Sequence, residues 1–328
     1  MLKINYHTSV LLQETLKILN PQPGKTFIDT TLGHAGHTIE FLKKGAFVYG
    51  IETDPKNLKT ATNRIKKLGL SKNFIPINNN FSNLEKIYKK NIKKHTCHCE
   101  RSVAIPSGSP RLRQLADPRD DNCKDIDAIF FDLGLSSNQL KSKNRGFSFN
   151  DNQSLDMRLN PKTQTLTAEF IVNTYSFDQL YQIFTKIAQE KHSKILIKKI
   201  INARKKSPIK NAVELAQIIF NHYKKENLYS KAHPATKIFM ALRIVVNQEL
   251  KKLNSVLNQT LKILKTGNKV LIISFHSGED RIVKQFIKKH SASNKIIKLT
   301  PKVIQASRKE IKQNPLSRSA KLRAFQIK

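Results

Sequence analysis

The chain has 328 residues, 39% of them hydrophobic, which is enough for one large domain or two ordinary ones with a real core. No apolar run approaches the length that crosses a bilayer, and the N-terminus lacks the long apolar core of a signal peptide, so a cytoplasmic protein with no membrane partner is expected. Lys and Arg number 59 against 24 Asp and Glu, a net charge of +35, so a polyanion is the first partner to expect, although part of the excess lies in stretches that read as ordinary solvated helix faces.

The first informative segment is FIDTTLGHAGH, Phe27 to His37, which reads as a strand running into a glycine-bearing turn that opens a helix. Asp29 sits at the strand tip, and Gly33 and Gly36 let backbone N–H groups approach a nucleotide-like ligand. A turn of this kind is most often only a turn. The next unit, AFVYGIETDP, ends in acids, and Glu52 falls 19 residues beyond Gly33, where a nucleotide site takes ribose hydroxyls. Asp54, followed by Pro55, reads as the N-cap of the next helix instead.

A third strand is expected at Phe74 to Asn78, followed by Phe81 and a helix. The segment from about residue 95 to 124 then breaks the pattern: it uses Arg where the rest uses Lys, clusters Pro, Ser and Gly, and reads as a surface insert. It holds all three cysteines, Cys97, Cys99 and Cys123, with His95 and His98 nearby. The C-x-C spacing is not the usual C-x₂₋₄-C pair, so no metal is expected. DAIFFDLG gives a fourth strand with Asp132 at its carboxyl end. Ligands of open parallel sheets gather beyond those ends, so Asp29, Glu52, Phe81 and Asp132 are expected to converge on one crevice.

From about Lys141 to Lys231 the pattern turns all-helical. Ser176 to Gln179 is a capping-box pattern, Asn211 with Glu214 starts another helix, and KHSKILIKKIINARKK alternates apolar and basic positions at helical spacing. That helix reads equally well as core with a solvated face or as a surface on which Lys194, Lys198, Lys199 and Arg204 meet phosphates. Leu242, Val245, Val246, Leu250, Leu253, Leu257, Leu261 and Leu264 predict one long helix stopped by Gly267. KVLIISFH is a fifth buried strand, GEDRIVKQF a helix, and IIKLT and LRAFQI close the chain as antiparallel edge strands.

Eight blocks, HTSVLLQE from His7, DTTLGHAGH from Asp29, FDLGLSSNQL from Phe131, RGFSF from Arg145, LDMRL from Leu155, HPATKIFMALRIVVNQEL from His233, ISFHSGEDRIVKQF from Ile273 and NPLSRSAKLR from Asn314, carry a resemblance spanning nearly the whole chain. It resembles the bacterial 16S ribosomal RNA cytosine-N4 methyltransferases of the RsmH (MraW) family. The resemblance implies an α/β, Rossmann-like class I fold that uses S-adenosylmethionine, with a methyltransferase domain of residues 1–140 and 232–328 and an inserted helical substrate-recognition domain of residues 141–231. It further implies methylation of the N4 amino group of a cytidine in the decoding region (P site), with 16S rRNA, within the small ribosomal subunit, as partner.

By the same resemblance, Ala35, Gly36 and His37 hold the methionine end of the cofactor, Glu52 the ribose and Phe81 the adenine, with Asp132 and Gln139 completing the pocket. Asp132 is also the candidate catalytic proton acceptor, and His233, Arg243, Asn247, Ser274 and His276 are candidates for the substrate side; a structural hydrogen bond is the alternative for each. Thr30 and Ala35 stand where the family usually carries glycine, and Glu52 where it usually carries Asp. Other well-known amino methyltransferases, which carry an acid or Asn followed by Pro-Pro-aromatic there, offer no template, since this chain has Asp132-Leu133-Gly134-Leu135. A non-catalytic RNA-binding ribosome assembly factor would explain the charge without chemistry, and a nicotinamide-dependent oxidoreductase would share the α/β frame without the compact G-x-G-x-x-G. A homo-oligomer is compatible with the sequence.

Overall fold

The computed structural model describes residues 9–93, 125–134, 144–228 and 233–328; Gln139, the cysteine-bearing insert and the start of the HTSVLLQE block lie outside them. The chain forms two compact units, Met1–Gly134 with Leu253–Lys328, and Leu135–Lys252. The second is wider than the 141–231 that the change of pattern suggests.

The first unit is built on an eight-stranded sheet. Strands β1 (Thr26–Asp29), β2 (Phe47–Glu52), β3 (Phe74–Asn78), β4 (Ala128–Asp132) and β5 (Lys269–Ser274) are parallel in the order β3-β2-β1-β4-β5. Beyond β5 lie the strands β6 (Ile296–Lys298), β7 (Ile304–Gln305) and β8 (Lys321–Ile327), with β8 antiparallel to β5 and both β6 and β7 antiparallel to β8. The strand order reverses at β1, so the crevice of this Rossmann-like fold lies outside the carboxyl ends of β1 and β4.

Near-continuous apolar strands such as AIFFD are what a sheet covered on both faces requires. Because successive side chains alternate, Phe27, Val48, Phe130 and Leu271 share one core, while Ile28, Tyr49, Ile129 and Ile272 share the other. The first core is closed by helices α1 (Leu12–Leu19), α2 (Gly36–Lys43) and α3 (Pro55–Lys67), which supply Leu19, Ile39, Phe41, Ala61 and Ile65. Helix α4 (Leu84–Ile87), which runs on with wider turns through Tyr88–Ile92, helps to close the second. As expected, Asp54 caps α3, its carboxylate accepting from the Lys56 N–H at 2.9 Å.

The second unit packs helices α5 (Ala168–Thr174), α6 (Phe177–Gln182), α7 (Ser193–Lys206), α8 (Ala212–Lys225) and α9 (Thr236–Asn247) around a core that includes Leu180, Phe184, Leu196, Ile200, Leu215, Ile219 and Leu242. The Ser176–Gln179 capping box forms, and Asn211 accepts from the Glu214 N–H. Arg204 is structural: its guanidinium donates to the carbonyls of Val172 and Tyr175 at 2.7 and 2.8 Å. Lys194 lies over the Tyr181 ring.

The single long helix expected from Leu242 to Leu264 is two. Gln248, in the left-handed region at φ 53°, ends α9, and α10 (Glu249–Ile263) follows. The apolar stripe serves two cores: Leu242 and Val246 belong to the helical one, Leu253, Val256 and Leu257 to the sheet's. Helix α11 (Ser277–Ala292) covers the sheet with Val283, Phe286 and Ile287, and the short α12 (Arg308–Gln313) precedes β8. No helix among the described residues is long and apolar enough to cross a membrane.

Candidate active site

The turn after β1 is held by short-range bonds from Thr and Asp side chains. Asp29 accepts from the Thr31 N–H (3.1 Å) and from the Thr38 hydroxyl (2.6 Å), and Thr31 in turn accepts the N–H of Asp132 at 2.6 Å. The tips of β1 and β4 are thereby tied together. Ala35, the N-cap of α2, takes the left-handed conformation at φ 62°, an uncommon place for a residue with a side chain. Gly36 opens the helix against Ser9, whose hydroxyl a Cβ at that position would strike.

The tip of β2 is bound to the same turn. Glu52 Oε2 accepts from the Gly33 N–H at 2.9 Å and Oε1 from the Asp54 N–H at 2.8 Å. Burial pushes its carboxyl up to about 7 against these hydrogen bonds, and burial likewise raises Asp29 to about 6. His37 is buried beside them, its ring tilted against Phe130 at 4.7 Å, with Nε2 against the Val10 carbonyl (3.0 Å) and Nδ1 3.4 Å from Asp132 Oδ2. Burial opposes charge on this ring, yet Asp132 and Asp29 outweigh it and raise its pKa. Asp132 keeps one oxygen over: Oδ1 is buried and has no hydrogen-bond partner among the described residues. Phe81 follows β3, half-buried, its ring edge-on to Phe131 at 6.4 Å.

The residues expected on the substrate side fall in both units. In the first, Ser274 Oγ donates to the Lys321 carbonyl at 3.3 Å, and His276 is the N-cap of α11, paired with Glu279 in a capping box. In the second, Arg243 grips the Glu249 carboxylate with Nε and a terminal nitrogen, both at 2.9 Å. Asn247 is 1% exposed and donates to the Met157 and Arg243 carbonyls while accepting from the Leu159 N–H and the Gln164 amide. An amide has two donors and two acceptor lone pairs, so its bonding is complete. His233 is exposed and stacks on Phe149.

The MraW methylase family matches this chain over residues 5–328. The chain belongs to that family. A relative from Sulfurihydrogenibium sp. (strain YO3AOP1) named ribosomal RNA small subunit methyltransferase H is 37% identical over 97% of each chain. Proteins of the same name from Mycoplasma mycoides subsp. mycoides and Streptococcus mutans are 36% and 35% identical, the matches covering 85% and 87% of this chain and 80% and 81% of theirs.

For a member of the MraW methylase family the strand tips suit the chemistry of a sulfonium donor: the carboxylates of Asp29 and Asp132 adjoin one turn, and the carboxylate of Glu52 keeps lone pairs for hydroxyl donors. Two further contributors carry little or no signal in the sequence. The hydroxyls of Thr31 and Thr38 tie β1, β4 and α2 together, and the only sign of them is the density of Thr around Asp29. The Val10 carbonyl, which fixes the His37 ring, comes from 27 residues upstream and has no local signature.

Proposed function

We propose that this chain methylates the N4 amino group of a cytidine in the decoding region of 16S ribosomal RNA, with S-adenosylmethionine as donor. The observation that carries the reading is the meeting of Glu52, the Gly33 turn and Asp132 at adjacent strand tips in a MraW methylase family chain. The backbone at Ala35, Gly36 and His37 would hold the methionine end, Glu52 the ribose hydroxyls and Phe81 the adenine, with Asp132 and Gln139 closing the pocket. When bound, the cofactor supplies an electrophilic methyl group on a sulfonium.

The demand on the protein is mainly positional. The cytosine amino nitrogen is weakly nucleophilic because its lone pair is delocalised into the ring, so alignment on the methyl carbon supplies much of the acceleration. As the N–C bond forms and the S–C bond breaks, the amino group sheds a proton. Asp132 would receive it: His37 engages Oδ2 and leaves Oδ1 to accept. The helical unit would recognise the RNA, which must present the base unstacked.

The test is methyl incorporation from labelled cofactor into small subunits from cells lacking this protein, followed by mass analysis of the rRNA. A new N4-methylcytidine in the decoding region is expected. Subunits from such cells that already carry the modification would refute the assignment.

A further inference from the structure

Four aromatic rings of the helical unit form a row that begins in its core and ends at solvent. Phe239 in α9 is buried and meets Phe149 edge-on at 4.8 Å. Phe149 stacks on His233 at 4.6 Å, the planes 22° apart. His233 is in turn nearly parallel to Phe220 of α8, at 6.0 Å and 16°. Phe220 ends the row and is 39% exposed.

A lone exposed phenylalanine needs no explanation. Phe170 is such a case: its ring meets Tyr175 edge-on at 86° and continues no stack. Phe220 differs because the rings leading to it are aligned face to face, an arrangement that extends to one more flat π system. His233 suits the middle position. Its Nδ1 accepts the Ala235 N–H at 3.2 Å and so carries no proton, which leaves a neutral imidazole between two phenyl rings. One turn further along α8, Lys224 is exposed on the same side of the helix as Phe220. A flat apolar face beside a cation matches a nucleobase and its phosphate, in a chain whose net charge is +35.

We infer that Phe220 is a stacking platform for an unpaired base of single-stranded RNA, which extends the Phe149, His233 and Phe220 row while Lys224 meets an adjacent phosphate. The inference rests on the reading of this chain as an RNA-acting enzyme. Every base has a π face, so the platform adds affinity and holds the strand without choosing the base.

The chain contains no tryptophan, so F220W introduces a single tryptophan, whose emission is excited selectively over that of the tyrosines, at the site. Titration with a short single-stranded RNA should quench it, whereas an abasic strand of equal length and charge should leave it nearly unchanged. F220A should weaken binding of the same RNA by about 5- to 150-fold with the salt dependence of binding unchanged, and F220Y should restore it to within a few-fold. Equal quenching by both strands, or an F220A protein that binds as tightly as the parent, overturns the platform while RNA binding itself stands. Failure of the parent protein to bind any RNA overturns the RNA reading, and the platform with it.

Discussion

Glu52 at the tip of β2 accepts the N–H of Gly33 in the turn after β1, so one carboxylate braces the turn and faces the place where ribose hydroxyls are proposed to dock. Those hydroxyls are donors and bind an ionised carboxylate more strongly than a protonated one. With the carboxyl raised to about 7, affinity for S-adenosylmethionine should rise between pH 6 and pH 8 and level off above. Calorimetric titration across that range should give this profile for the parent protein and a flat, roughly tenfold weaker one for E52Q, on the scale of one charge-assisted hydrogen bond. An unchanged affinity in E52Q would remove Glu52 from the cofactor pocket.

The same shift acts on stability with a definite sign. A carboxyl raised from 4.5 to about 7 binds its proton more tightly in the fold, so its contribution is fully present below about 4.5 and is lost as pH rises toward 7. Asp29, raised from 3.8 to about 6, loses its own over a lower window. The ligand-free protein should therefore melt at lower temperature at pH 8 than at pH 5.5, and E52Q should flatten most of that slope. A melting temperature that climbs with pH in this range would contradict the burial of these two acids.

Thr38 gives its hydroxyl to the buried Asp29 carboxylate at 2.6 Å. T38V keeps the shape and removes the donor, which leaves a buried charge short of one bond. The expected cost is about 1–3 kcal/mol by chemical denaturation, larger at pH 8 than at pH 5, where Asp29 is protonated. A neutral effect at both pH values would mean that the bond does not hold the turn.

Much of this arrangement was legible because local chemistry and tertiary structure agree. Asp54 before Pro55, Ser176 with Gln179 and Asn211 before Glu214 are caps that need no distant partner, and all three form. The acids at the strand tips were readable because a strand followed by a helix places its last residue at the carboxyl edge. What escaped depends on distant or unusual groups. The break at Gln248 interrupts an apolar stripe that continues at helical spacing, since the two halves serve different cores and periodicity does not say which core a residue joins. His276 is a rare N-cap residue, and the capping box it forms with Glu279, three positions on, shows only in the structure.

Asp132 is braced from two sides, its N–H by Thr31 and its Oδ2 by His37, while Oδ1 stays without a partner among the described residues. If Oδ1 takes the amino proton, D132N should lower kcat at saturating cofactor by about 10²- to 10⁴-fold, the usual range for loss of a positioned base. If instead it only holds the cofactor, D132N should raise the cofactor KM and leave kcat near the parent value. Single-turnover methylation at two cofactor concentrations separates the two, and we expect the first.

Asn247 carries a different expectation. Its amide joins the Met157 and Leu159 backbone to α9 with every donor and acceptor in use, in a position 1% exposed. N247A would strand the partly buried Leu159 N–H and the buried Met157 carbonyl at once, and about 3 kcal/mol of the helical unit's stability should go with them. N247D would leave a carboxylate facing two carbonyl oxygens, with no donor to offer either, and should be at least as damaging. Hydrogen exchange would locate the loss: protection should fall around residues 155–168 and along α9, with the β1 to β5 strands unaffected. Intact protection in N247A together with a large fall in methylation would instead make Asn247 a substrate contact.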